Sequence, residues 1–453
     1  MEVANKINIT ELIDRTKVGR FQMMLFALCA MSLIMDGFDV QAMGYVAPDV
    51  TRDFGMSGAQ LGNLLASANF GVLIGSLLFT ILADKIGRRP VLIFGTFYYA
   101  VITVLTGRAG SPDELLLLRF IGGIGMGSII PNASALIGEY SPNTKRITLI
   151  MTITVGFTAG AALGGFVAAA LLPVFGWRSV FYFGGIIPLA AGILMIFWLP
   201  ESLQFLAVHR KFEKVGEWLK RINPAARIEA GTQYVVAEQH QRGVPVLHLL
   251  TGGRAPVTLL YWLVNFTNLL NLYFLAGLLP KILSQHDYSS SMSALIGGLL
   301  QAGGTVGTFG LAWFIHKKGF TPMLTVTFAV AAVSIAFIGS QPVLAAPALL
   351  MGVVALAGWC VIGGQPGLNA LGATYYPTFM RSTGIGWGLG IGRVGAIVGP
   401  LIGGRLLDLH WSTQQLFIVF AVPAVVSTLV MLSLHVIFRS GGEPALPLKE
   451  EAA

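Results

Sequence analysis

The 453-residue sequence is poor in charge and almost empty of cysteine. Charged residues make up 11% of the chain, against a soluble norm of roughly 25%. The length alone would allow two or three soluble domains of ~150 residues each, but so few charges cannot build their surfaces. The two cysteines, Cys29 and Cys360, both lie inside long apolar runs, so no disulfide framework, thiolate metal site or redox pair is expected. No Walker loop, His-Glu-x-x-His pair, zinc spacing or Ser-His-Asp arrangement is identifiable. Glycine-rich strings sit in apolar runs and not after a strand, so a dinucleotide reading fails. Neither enzyme chemistry nor a metal or cofactor is expected. The ~10-residue alternating segments of a membrane β-barrel are missing as well.

What the sequence has instead is hydrocarbon: 55% apolar residues and a mean hydropathy of +0.74. A membrane helix takes ~20 mostly apolar residues. Twelve candidates fall at 21–48, 59–83, 90–108, 113–140, 147–172, 179–199, 255–281, 291–315, 321–340, 344–374, 382–407 and 414–438. The expected fold is an all-α membrane protein of twelve transmembrane helices in two six-helix bundles. Residues 1–199 form the N-terminal bundle, 200–254 a cytoplasmic linker, 255–440 the C-terminal bundle and 441–453 a cytoplasmic tail. Counted from a cytoplasmic N-terminus, 22 of the 29 lysines and arginines lie in inside segments and five in outside segments. The other two, Arg119 and Arg393, lie within spans. That bias places both termini in the cytoplasm of a cell with this chain in its plasma membrane. The net charge of +8 is therefore topological, and no nucleic-acid partner is implied. The first span does not read as a cleavable signal peptide, being long, preceded by twenty polar residues and followed by no small-residue cleavage site. In the linker, Phe205, Phe212, Val215 and Trp218 stand among basic residues. They predict an amphipathic helix lying on the inner leaflet or, equally, a solvated linker helix.

The two halves echo each other. Pro131 and Glu139-x-x-Pro142-x-x-x-Arg146 recur as Pro366 and Thr374-x-x-Pro377-x-x-x-Arg381 at an offset of 235 residues. Asp84-Lys85-x-Gly87 recurs as His316-Lys317-x-Gly319 at an offset of 232. Both echoes fall at corresponding cytoplasmic helix ends. Two six-helix halves related by duplication suit rocking about a site near the midplane.

These motifs carry a resemblance. Asp84-Lys85-Ile86-Gly87-Arg88-Arg89 resembles the loop motif of the major facilitator superfamily, with Thr80 where its earlier glycine is expected. Arg119 followed by Gly122, Gly123, Gly125 and Gly127 resembles its fourth-helix arginine motif. Gly395-x-x-x-Gly399-Pro400-x-x-Gly403-Gly404 resembles its glycine–proline motif, here in the eleventh span. Within the superfamily, Asp36-Gly37-Phe38-Asp39 is similar to the signature of the aromatic acid:proton symporters. Pro131-Asn132 with Glu139, Tyr376-Pro377-Thr378 with Arg381-Ser382-Thr383-Gly384, and the run Trp387 to Pro400 strengthen it. The resemblance implies import of a benzoate-like or hydroxybenzoate-like acid together with protons.

The residues argue in the same direction. An ionisable group at a helix centre in lipid costs ~2.5–3.5 kcal/mol or more, so each is a functional candidate. Asp36 and Asp39, spaced i, i+3, share a helix face. Two carboxylates close together in low dielectric do not both ionise easily, which is the property a proton carrier needs. The plainer reading pairs one aspartate permanently with Arg119 while the other caps a kink near Gly37. Arg119 and Arg393 offer the permanently charged, bidentate fork that a carboxylate substrate prefers. Alternatively, Arg119 is the standing counter-ion of the aspartates and Arg393 ties the eleventh helix to a neighbour. Phe38, Tyr45, Tyr273 and Trp387 are candidates to face an aromatic ring, with lipid contact and packing as the plainer roles. Asn265 with Asn268 and Gln365 with Asn369 share faces of the seventh and tenth spans. They can meet a ring hydroxyl or a carboxylate, or simply bond between helices. Asp84, Arg88, Glu139 and Arg146 are expected to form a charged gate at the cytoplasmic ends of the second to fifth spans.

The leading expectation is a monomeric proton symporter whose partners are a small aromatic carboxylate, protons and the bilayer. The rivals are a facilitator for sugars or other organic anions, a proton-coupled drug exporter and a non-transporting aromatic-acid sensor. Two intramembrane arginines argue against export of cationic drugs, and the ~55-residue loop leaves little room for a sensor's signalling domain.

Overall fold

The computed structural model describes residues 6–16, 18–222, 233–235, 246–377 and 380–441. Thr378, most of the linker between 223 and 245 and the tail from 442 on lie outside them. The short α1 (Ile9–Asp14) leads into the first six spans: α2 (Arg20–Phe54), α3 (Gly58–Ile86), α4 (Arg88–Thr106), α5 (Pro112–Met126) continued by α6 (Ile129–Tyr140), α7 (Asn143–Phe175) and α8 (Arg178–Trp198). The linker holds α9 (Leu203–Val208) and α10 (Phe212–Ile222). The second six spans are α11 (Ala255–Ser284), α12 (Ser290–Lys318), α13 (Phe320–Ile338), α15 (Pro347–Tyr375), α16 (Arg381–Asp408) and α17 (Thr413–Gly441), with α14 (Gln341–Leu344) a single turn between two of them. Among the described residues twelve helices are thus long and apolar enough to cross a membrane, in the order the sequence predicts. One small addition is a parallel pair of three-residue strands, β1 (Lys6–Asn8) with β2 (Gln233–Val235), which ties the N-terminal segment to the linker.

Local chemistry sets the helix ends. Ser57 caps α3 by accepting the Gln60 amide while the Gln60 side chain accepts the Ser57 amide, a reciprocal box. Ser111 caps α5, with Pro112 at its first position and Asp113 and Glu114 in the first turn. Gly87 and Gly319 turn the chain between consecutive spans at φ 104° and 86°, a region that side-chain-bearing residues rarely enter. They are the paired glycines of the internal echo, so the repeat is one of shape as well as of letters. Helix pairing repeats too. In the first half α2 packs on α7, α3 on α5 and α4 on α8. In the second half α11 packs on α16, α12 on α15 and α13 on α17.

The halves meet where α2 packs on α11 and α12, α3 on α16 and α7 on α12. The closest approaches lie at the end remote from the linker. There Gly44 abuts the Ala276 carbonyl, Gly165 abuts Gly298, and Gly58 and Gly62 abut Gly404 and Pro400. The Asp408 carboxylate of α16 accepts the Gly58 and Ala59 amides of α3 at 2.5 and 2.9 Å, and Ser290 donates to Asp49 at 2.8 Å. Toward the linker end α16 packs on its own half, with Gly384 against Tyr376 and Gly388 against Tyr261, while on its other face Gly386 and Gly390 have no atom within 4 Å of where a side chain would begin. The halves therefore form a V, closed at the remote end.

The linker helix differs from one laid on lipid. Val215 and Leu219 of α10 are fully buried, and the Trp218 ring lies 5.7 Å from Phe21 at the base of the first half. Its apolar face is spent on protein, because α9 and the α8 exit fold it back against the bundle, where Leu199, Leu203 and Leu206 share its core.

Candidate substrate and proton site

The first-span carboxylates lie in the first half, buried beside helices that pack unusually closely. Gly71 and Gly75 of α3 face the Phe120 and Ile124 carbonyls of α5, and Gly123 and Gly127 answer with the backbone of α3. Small residues at these crossings let the backbones touch. That contact holds Arg119 against the first span. Its Nη1 donates to Asp39 Oδ2 at 2.9 Å and its Nη2 to the Asp39 carbonyl at 2.9 Å. Both side chains are almost fully buried.

Asp36 has no such partner. It is 2% exposed, and its Oδ1 meets no hydrogen-bond donor among the described residues. Arg393, from the other half, lies within electrostatic reach of it. Arg393 is half-buried, and among the described residues its guanidinium donates only to the Tyr273 hydroxyl, from Nη1 at 3.3 Å. The two arginines, alike in sequence, are thus unlike in circumstance. Arg119 is neutralised by Asp39, and Arg393 is paired with no carboxylate among the described residues.

Between the halves lies a narrow cleft, partly open to solvent. The first half lines it with Gln41, Asn69, Arg119 and the apolar Val40, Met43, Leu64 and Leu65; the second with Tyr273, Gly277 and Pro400. It sits at the apex of the V, below the remote closure.

Other sequence candidates take up packing. Phe38 is buried with its ring 5.4 Å from Phe183 and pressed against Gly164 and Gly184. Tyr45 donates to the Ala161 carbonyl at 2.6 Å. Both point into the protein because glycines on facing helices make room for rings there. The four amides form one network between α11 and α15. Gln365 donates to Asn265 at 2.9 Å and to Asn369 at 3.3 Å, and Asn268 donates to Gln365 at 2.8 Å. Asn265 and Asn268 are thereby committed to their own bundle, the plainer of their two readings, while Gln365 and Asn369 remain half-buried. Trp387 is 44% exposed toward the linker end, its ring 5.9 Å from Trp262, and is absent from the cleft.

Comparison with known proteins settles the family. The sequence matches the Major Facilitator Superfamily over residues 29–388 and again over 261–452. The chain belongs to that superfamily. A gallate transporter of Pseudomonas putida is 35% identical over 94% of this chain and 95% of its own. The 4-hydroxybenzoate transporter PcaK of Pseudomonas aeruginosa is 34% identical over 95% of this chain and 96% of its own. The benzoate transport protein of Acinetobacter baylyi is 28% identical over 99% and 97%. Among solved structures, an inward-facing bacterial homologue of the human lysosomal transporter Spinster superposes with a TM-score of 0.73 at 16% identity, covering 95% of this chain and 100% of that one. A D-xylose–proton symporter gives 0.72 at 17% identity, covering 90% and 97%. At those identities the structures speak for the fold alone.

In this facilitator a second charged cluster lies at the linker end of the first half. Arg88 Nε meets Glu139 Oε1 at 3.1 Å. Glu139 Oε2 also accepts from the Ser202 hydroxyl at 2.6 Å and the Gln204 amide at 3.3 Å. The sequence reading missed Glu201, whose Oε1 accepts the Arg88, Arg89 and Ser202 amides at 2.9, 3.1 and 2.7 Å. Its only signal is an acid directly after the Leu199-Pro200 exit of the sixth span. The other two gate candidates are not joined to the cluster. Asp84 is exposed, near the end of α3, and in no ion pair among the described residues. The Arg146 Nε is buried without a hydrogen-bond partner among the described residues. Gln41 and Asn69 were missed as well, although polar residues deep in apolar spans are a legible signal.

Proposed function

We propose that this protein imports a small aromatic carboxylate together with protons by alternating access. The observation that carries the reading is the division between the arginines: Asp39 neutralises Arg119, while Arg393, within electrostatic reach of Asp36, is paired with no carboxylate among the described residues. Ionised Asp36 and a substrate carboxylate compete for that one guanidinium. Protonating Asp36 frees Arg393 to hold the substrate, so the anion and the proton load together. The similarity to gallate, 4-hydroxybenzoate and benzoate transporters supports the substrate class. The apolar walls of the cleft suit the faces of an aromatic ring.

Residues 1–199 and 255–440 act as the two rocking bodies, joined by the linker 200–254. The basic, linker-bearing end is cytoplasmic, with both termini, in a bacterial inner membrane. The Arg88–Glu139 pair with Glu201 and Ser202 works as the inner gate, making and breaking contacts as the halves rock. Each half supplies one wall of the cleft, so a single chain is the transporting unit. The substrate crosses unchanged, without cofactor, metal or nucleic acid.

The test is uptake by proteoliposomes under an imposed pH gradient, with benzoates, hydroxybenzoates, sugars and cationic dyes. Accumulation of the aromatic acids alone, abolished by a protonophore, is the expected result. Equal uptake with and without the gradient, or uptake of sugars or dyes instead, overturns the reading.

A further inference from the structure

We infer that Gln41 and Asn69 read a hydroxyl group on the substrate's ring, so that the preferred cargo is a hydroxylated aromatic acid and unsubstituted benzoate is a poor one. The inference rests on the proposed import of an aromatic carboxylate through the central cleft and deepens it.

Gln41 is 4% exposed and lines the cleft, yet neither end of its carboxamide has a hydrogen-bond partner among the described residues. Its amide atoms open onto the cleft, where water or a ligand can meet them. Asn69, 6% exposed and on the same wall, donates to its own helix at the Leu65 carbonyl, 3.2 Å away, which leaves its side-chain oxygen free. Two carboxamides on adjacent helices, α2 and α3, therefore present donors and an acceptor to one space without a partner for either set. Tyr273, which Arg393 touches, lines the same cleft from the opposite half.

The chemistry of that wall selects the group it meets. A carboxylate only accepts hydrogen bonds and needs a cation, and the one cation on this wall, Arg119, is already neutralised by Asp39. A second carboxylate is thus unwelcome, which disfavours dicarboxylates. A phenolic hydroxyl both donates and accepts, is neutral, and matches an amide's two ends. With the substrate carboxylate at Arg393 and Tyr273, the ring lies between Leu64, Leu65 and Val40. A hydroxyl far from the carboxylate then reaches the amides. A sugar would bring hydroxyls to those apolar walls as well, with nothing there to receive them. A site built to bond a hydroxyl discriminates strongly against the analogue without one, because its buried amides are then left unpaired.

The test is equilibrium binding to the purified full-length protein in lipid nanodiscs, with benzoate and 4-hydroxybenzoate as the two probes. The wild-type protein is expected to bind 4-hydroxybenzoate at least about tenfold more tightly than benzoate. In the near-isosteric Gln41→Met, and independently in Asn69→Leu, that preference should shrink to less than about threefold, through weaker 4-hydroxybenzoate binding and benzoate binding that is not weakened. Retained benzoate binding reports a folded cleft, and two variants on different helices guard against one failing to fold. A preference that survives in both variants, an equal loss of both acids, or a wild-type protein that binds the two acids alike overturns the inference while leaving aromatic-acid import standing. A wild-type protein that binds neither acid overturns the import reading and this inference with it.

Discussion

A single ion pair sets the energetics of the first half. Asp39 and Arg119 are both desolvated, and each is tolerable only because of the other. Removing one partner of a buried pair costs about 3–5 kcal/mol, since it strands the remaining charge. Arg119→Ala should therefore lower the unfolding temperature sharply in detergent and reduce the yield of folded protein. Arg393→Ala should leave stability nearly unchanged and weaken binding of the acid at least about tenfold, because a charge-assisted contact to the carboxylate goes with it. Equal thermal stability of the two variants would contradict this division of labour. The sequence made all four intramembrane charges visible, because such groups are costly enough to need a reason. That Arg119 could be the standing counter-ion of a first-span aspartate was legible as the plainer reading, and the structure bears it out; which aspartate it takes was not, because that depends on the α3–α5 approach and no local pattern encodes it. The same limit explains Phe38 and Tyr45. An aromatic residue beside an aspartate motif looks like a ring-binding candidate until the glycines that receive it on other helices are located.

At the scale of the element, glycine spacing does most to place the site. Gly71 and Gly75 bring α3 onto the carbonyls of α5, while Gly386 faces open space on α16. Gly75→Val should push these helices apart, disturb Arg119 and abolish folded expression, whereas Gly386→Ala should transport normally; size-exclusion profiles and uptake distinguish the two. The abundance of glycine was legible as a sign of close helix packing. Its pairing was not, because the partner of each glycine is a backbone atom on a distant segment. Helix number and order were legible throughout, since hydrophobic length is imposed by the bilayer and not by neighbours. The linker helix shows the converse. Its amphipathic pattern was plain, but the pattern cannot tell lipid from protein as the cover, and Phe21 with the base of the first half supplies protein.

For the whole molecule, the echo between halves predicted the architecture, and the matching glycine turns at Gly87 and Gly319 and the matching helix pairs bear it out. The charged gate is lopsided in the way the echo implies: the first half has Glu139 where the second has Thr374. Arg88→Ala should slow maximal uptake several-fold while changing substrate affinity little, because the pair lies at the linker end, away from the cleft. A comparable loss of affinity would place Arg88 at the binding site. The central claim, that Asp36 and the substrate share Arg393, is tested most directly by the pH dependence of binding. Between about pH 6 and pH 8 the acid itself stays ionised. If binding takes up one proton at Asp36, affinity rises as pH falls, by up to about tenfold per unit. The wild-type protein should show that slope, and Asp36→Asn should bind the acid with a flat profile. A slope unchanged in Asp36→Asn, or its absence from the wild-type protein, would contradict the account.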